Sequence, residues 1–73
     1  MSTYYYTIGH SFDFEGRPKN KTINLYDIDT QSFELVCIGF KVCSLEESSL
    51  DAALQIAKNE GEEVNESTKL RLI

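Results

Sequence analysis

The sequence predicts an α+β domain: a four-stranded, mainly antiparallel sheet in the order β-β-β-α-β, with one helix packed on one face. Three observations lead there. Apolar and polar side chains alternate with period two over most of the first forty-three residues, as half-buried strands require. A helical apolar pattern occurs once, between Ser49 and Glu60. The whole chain has 73 residues, which makes residues 1–73 one domain and leaves no room for two.

The first strand runs from Tyr4 to Phe14. Its even positions, Tyr4, Tyr6, Ile8, His10, Phe12 and Phe14, form the face expected to be buried, and Gly9 is the expected place for a bend. Glu15 to Asn20 contains Gly16 and Pro18 and reads as a loop. Lys21 to Ile28 is a second strand. Its apolar residues change parity after Leu25, which predicts a bulge or strand end near Tyr26. Turn formers between Asp27 and Ser32 close a hairpin onto a third strand, Phe33 to Cys43. Val36, Ile38, Phe40 and Val42 make the expected apolar face of that strand, and Cys37, Gly39, Lys41 and Cys43 the other.

Two N-terminal caps compete for the helix: Ser44 with Glu47, and Ser48 with Asp51. The later start is favoured, giving a helix from about Ser49 to Glu60 whose buried stripe is Leu50, Ala53, Leu54 and Ala57, flanked by Ile56. Gly61 stands where a left-handed C-terminal cap belongs. After a polar connection, Thr68, Leu70 and Leu72 alternate with Lys69 and Arg71 as a short edge strand.

Composition narrows the function classes. Twelve acidic against seven basic residues give a net charge of −5. Such a chain repels nucleic acid as a whole and favours a protein partner with a basic surface. Direct nucleic-acid binding is not expected. Neither is membrane association, because no apolar run approaches the ~20 residues a spanning helix needs. The N-terminal stretch Met1-Ser2-Thr3-Tyr4 lacks the features of a secretory signal, so the expected location is cytoplasmic.

No reaction centre is legible. His10 is the only histidine, and its expected place is the buried face of the first strand. Cys37 and Cys43 stand roughly 20 Å apart along one strand, beyond disulfide reach and without the close pairing zinc sites use. No glycine-rich turn opens the helix, so no phosphate cradle is predicted. The chain is therefore expected to be non-catalytic, with no cofactor and no metal. Arg17, Lys19 and Lys21 place three basic residues near one turn and lack the interleaved aromatics of a strand-binding surface. Asn65-Glu66-Ser67 is a glycosylation sequon by chance.

Two clusters qualify as partner-binding surfaces. Glu60, Glu62, Glu63 and Glu66 crowd the helix C-terminus, where negative charge opposes the helix dipole. Glu46 and Glu47 lie at the other end, where negative charge supports it. The second cluster is apolar: Tyr5, Phe33 and Leu35, joined by Cys37, share the parity opposite to Tyr4 and Tyr6 and are expected on an open sheet face.

The strand, the Ser-rich break and the Ala-containing amphipathic helix between Gly39 and Asn59, in a small acidic chain, resemble small phage- or mobile-element-encoded proteins. Some anti-CRISPR inhibitors pair a sheet with one helix in this way. Three strands preceding a helix also resemble the antitoxin half of HicB-type toxin–antitoxin pairs, although the Pro-Asp-Leu-Pro-Gly-Cys-like segment of those antitoxins is absent, Pro18 being the only proline. Both likenesses are architectural and carry no functional residue. The expected function is a non-catalytic inhibitor that covers a basic, nucleic-acid-binding surface of another protein. The alternative is a homodimeric accessory subunit or an antitoxin-like partner of a basic protein.

Overall fold

The computed structural model describes residues 2–73; Met1, part of the N-terminal stretch read above, lies outside them. The element order is β1 (Thr3–Phe12), β2 (Pro18–Ile28), β3 (Leu35–Cys43), α1 (Ser49–Asn59) and β4 (Lys69–Leu72). The four strands form one sheet in the order β3-β2-β1-β4. β1–β2 and β2–β3 are antiparallel, while β4 joins β1 in parallel, so the sheet is mixed. α1 packs on β2 and β3. The β3–α1–β4 connection thus carries the chain across one face from one edge of the sheet to the other.

Register decides which face is covered. Tyr6 pairs with Leu25, Ile8 with Ile23, and Leu25 and Ile23 pair in turn with Gly39 and Lys41. β1 and β2 therefore present Tyr4, Tyr6, Ile23 and Leu25 on one side, all buried. β3 must offer Gly39, Lys41 and Cys43 to that same side. The expected apolar face of β3 is consequently wrong: Phe40 is 68% exposed and Val42 55%, and both point away from the helix with Asn24 and Thr22. Two strands with apolar residues of one parity outweigh a third of the opposite parity. Ile38 alone of that set packs against the core.

The bulge or strand end expected in β2 near Tyr26 is not there, since β2 runs on to Ile28; the irregularity falls opposite it, in β3. Leu25 pairs with Gly39 and Tyr26 with Cys37, so Ile38 is the extra residue of a bulge in β3. A second register shift falls between Ser11 and Phe12; Gly9 pairs regularly with Thr22 and bends nothing.

The expected buried face of β1 extends too far. Only Tyr4 and Tyr6 are buried, whereas Phe12 is 61% exposed, Ile8 and His10 are exposed, and Phe14 stands fully in solvent. α1 has 11 residues, about 16 Å of length, and cannot cover the outer half of a ten-residue strand as well. Beyond the His10–Lys21 pair, where β3 ends, β1 and β2 continue alone as a hairpin arm along the 43 Å long axis.

The helix begins as the Ser48–Asp51 pair predicts. Ser48 Oγ accepts the Asp51 N–H at 3.3 Å, leaving the alternative Ser44 start as a turn. Its C-terminus is a Schellman motif: Glu62 N–H reaches the Ala57 carbonyl at 2.9 Å and Gly61 N–H that of Lys58 at 3.1 Å, with Gly61 at φ 77°. The buried stripe is Ala52, Ala53, Ile56 and Ala57, rotated from the expected one, with Leu50 exposed. Three alanines bring the helix axis close to the sheet, so the larger leucines ride at its flanks.

Candidate functional site: two chemically opposite faces

The helix side of the sheet holds a polar cluster where β2, β3 and the β3–α1 turn converge. Lys21 is only 8% exposed. Its ammonium donates to the Glu47 carbonyl and, at 3.1 Å, to Ser49 Oγ. A buried ammonium is tolerable only with such partners. Lys41 donates to Gln55 Oε1 and pairs with the Glu47 carboxylate at 3.2 Å. Glu47 Oε2 is buried and stands 3.2 Å from the same ammonium. A hydrogen bond from the Cys43 thiol, then the Lys41 ammonium, hold the Glu47 carboxyl below the usual range.

Burial, followed by the Glu47 carboxylate, pushes the Cys43 thiol up. Register sets His10 opposite Lys21 and Lys21 opposite Cys43, so histidine and thiol stand two strands apart with the lysine between them. A raised thiol is the opposite of an activated nucleophile. Cys37 is exposed, and both cysteines are free. Among the described residues, no three His, Cys, Asp or Glu side chains gather to hold a metal ion, and no helix is long and apolar enough to cross a membrane.

The acidic residues singled out from the sequence divide into two groups. Glu47 is committed to the cluster just described. Glu62 accepts the Tyr4 hydroxyl at 3.0 Å, tying the α1–β4 connection to β1; burial, then this carboxylate, push the Tyr4 phenol up. Glu60 lays its Cγ over Gly39. Negative charge at the helix C-terminus thus has structural uses that the sequence did not reveal. Glu46, Glu63 and Glu66 are exposed. The sequon folds as a local turn in which Asn65 Oδ1 accepts from Ser67. Of the basic trio, Lys21 is buried in the cluster, Arg17 pairs with Glu15, and Lys19 borders a shallow 230 Å³ hollow beside Phe12 and Phe14 at the tip of the arm.

The opposite face of the sheet is uncovered. Tyr5 pairs with Tyr26 and Tyr26 with Cys37, while Ile28 pairs with Leu35. Tyr5 and Leu35 therefore share the open face, as expected. Phe33 does not. It sits in the β2–β3 turn at φ 58°, 81% exposed, its N–H bonded to the Asp29 carbonyl at 2.8 Å. Asp29 Oδ1 accepts the N–H groups of Gln31 and Ser32 in that turn, which holds its carboxyl below the usual carboxylate range. Tyr26, Phe40 and Val42 belong to the open face and were missed. The missing signal was parity relative to Leu25 rather than within β3.

The two faces differ in charge. None of the twelve acidic residues lies at an open-face position of any strand, and the only charges there are Lys69 and Arg71 on β4. Asp27 falls on the helix side by register, and the remaining carboxylates lie in turns, in α1 and in the connections flanking it. Comparison with known protein families, with curated proteins and with solved structures finds no match to this chain.

Proposed function

We propose that the chain is a non-catalytic, acidic protein-binding module of inhibitor type. It sets the exposed carboxylates around its helix against a basic surface of another protein, where they compete with nucleic acid for that surface. The observation that carries this reading is the segregation of charge: every carboxylate is withdrawn from one sheet face, and Glu46, Glu63 and Glu66 are left free on the connections at the two ends of α1. The raised Cys43 thiol and its separation from His10 also favour recognition over covalent chemistry. An antitoxin-like role toward a basic toxin would use the same side.

The test is a partner captured from the native host on the immobilised chain. That partner should be basic, should be released by raising salt, as screened charge pairs require, and should be lost by the combined Glu46→Gln, Glu63→Gln and Glu66→Gln variant. Equal retention by that variant, with unchanged salt dependence, would refute the reading.

A further inference from the structure

We infer that the open sheet face is a homodimer interface, in which two copies stack face to face about a two-fold axis parallel to the strands. The inference is independent of the carboxylate-mediated binding proposed above, because it uses the opposite side of the sheet.

Surface area comes first. The chain exposes 5233 Å², whereas a compact monomer of 8.3 kDa exposes about 4,600 Å². The excess, roughly 600 Å², approaches the ~800 Å² each partner contributes to an ordinary interface. The radius of gyration agrees: 13.3 Å against about 11 Å for 73 compact residues. Part of the excess belongs to the arm, and part to the open face, where Leu35, Phe40 and Val42 are exposed around the Tyr5–Tyr26 pair.

Charge then identifies the occupant. Two copies each carrying −5 repel except where they meet without carboxylates, and the open face is that place. Its centre and β3 side are uncharged: Tyr5, Tyr26, Leu35, Phe40 and Val42 surround the polar Thr7, Asn24 and Thr22, and an identical face can match them as in a two-sheet sandwich.

The orientation follows from the strand order. Rotation about an axis parallel to the strands exchanges the sheet edges, laying β4 of one copy over β3 of the other at the same height. Lys69 pairs with Thr3, and Leu35 with Ile28, at the same end of the sheet. Lys69 of each copy therefore stands over the start of the other copy's β3, beside the turn that carries Asp29 and Glu34. The perpendicular in-plane axis would instead oppose β4 to β4 and set basic groups against each other. Opposite charges at both rims select the first arrangement.

Analytical ultracentrifugation of the full chain tests this. The wild-type chain should form a dimer at micromolar concentration. Phe40→Asp removes an exposed side chain and no core contact, and should weaken the dimer at least ~30-fold, the threshold for a central anchor. Lys69→Glu and Glu34→Lys should each weaken it about tenfold by opposing like charges, and the double variant should recover most of that loss. Circular dichroism should match the wild type for each variant, so that any loss of dimer is read on folded chains. A wild-type chain still monomeric at ~100 μM, or a dimer indifferent to Phe40→Asp, overturns the interface. Failure of the double variant to recover overturns the two-fold orientation. A monomer that binds an acidic protein through Arg71 assigns the face to another partner and also overturns the inference.

Discussion

The Cγ2 methyl of Ile56 lies 2.7 Å from the point where a Cβ on Gly39 would stand. Residue 39 is a glycine because the helix rests its one large buried side chain on that strand position, and the Glu60 side chain closes the same spot from the next turn. The contact also explains why β3 turns Gly39, Lys41 and Cys43 toward the helix: a strand face of small or flexible side chains admits the close approach that three helix alanines offer.

Gly39→Ala should therefore destabilise the fold by about 1–3 kcal/mol through overpacking, a fall in Tm of roughly 4–8 °C per kcal/mol in a domain of this size. Combining it with Ile56→Ala, which removes that Cγ2 methyl, should cost less than the sum of the two single substitutions in a double-mutant cycle. Strict additivity of the two substitutions would show that they do not meet.

Tyr4 and Glu62 join the first strand to the connection after the helix. Tyr4→Phe should cost about 1 kcal/mol in denaturant unfolding, the usual net value of one hydrogen bond. The folded-state phenol is raised above 10.0. Its contribution is thus fully present below the unfolded value and lost as pH rises through the folded one. Absorbance titration should show a late phenolate phase that Tyr4→Phe abolishes.

Glu47 contributes to the acid response, together with Asp29, whose carboxyl is also held low. The Glu47 carboxyl is lowered from 4.5 by the Cys43 thiol and the Lys41 ammonium. The stability it supplies is present above its unfolded value and lost as pH falls through the lower folded one. Wild-type stability should decline below about pH 4.5, and Glu47→Gln should flatten that decline while lowering stability at neutral pH. An unchanged acid limb in the variant would show that other carboxylates carry it.

The tip of the arm and the inner end of β1 offer a contrast. Phe14→Ser should change stability by no more than about 0.5 kcal/mol, because the ring is fully exposed. Tyr6→Ala, inside the ladder, should cost about 3–5 kcal/mol, as truncation of a buried aromatic does. Similar costs at the two sites would mean that the arm is covered in solution.

Much of this was readable from residue order. The Ser48–Asp51 cap, the Gly61 terminus and the edge strand around Leu70 each rest on interactions among near neighbours in the chain, so local sequence contains the signal. Tyr5 and Leu35 on an open face followed from alternation alone. The misplaced residues are those whose position depends on a distant partner. Phe40 and Val42 alternate as convincingly as any buried strand, yet the pairing of Gly39 with Leu25 turns them outward. Glu62 looked like misplaced charge until Tyr4, 58 positions away, supplied its hydrogen bond.

Local periodicity by itself determined which segments are strands and where the helix starts and stops, since each is set by the backbone geometry of a few adjacent residues. Tertiary structure alone decided which face of β3 meets the helix and how far along β1 the cover reaches. Burial depends on the register of three strands at once and on the length of an 11-residue helix, and neither quantity exists in any one segment.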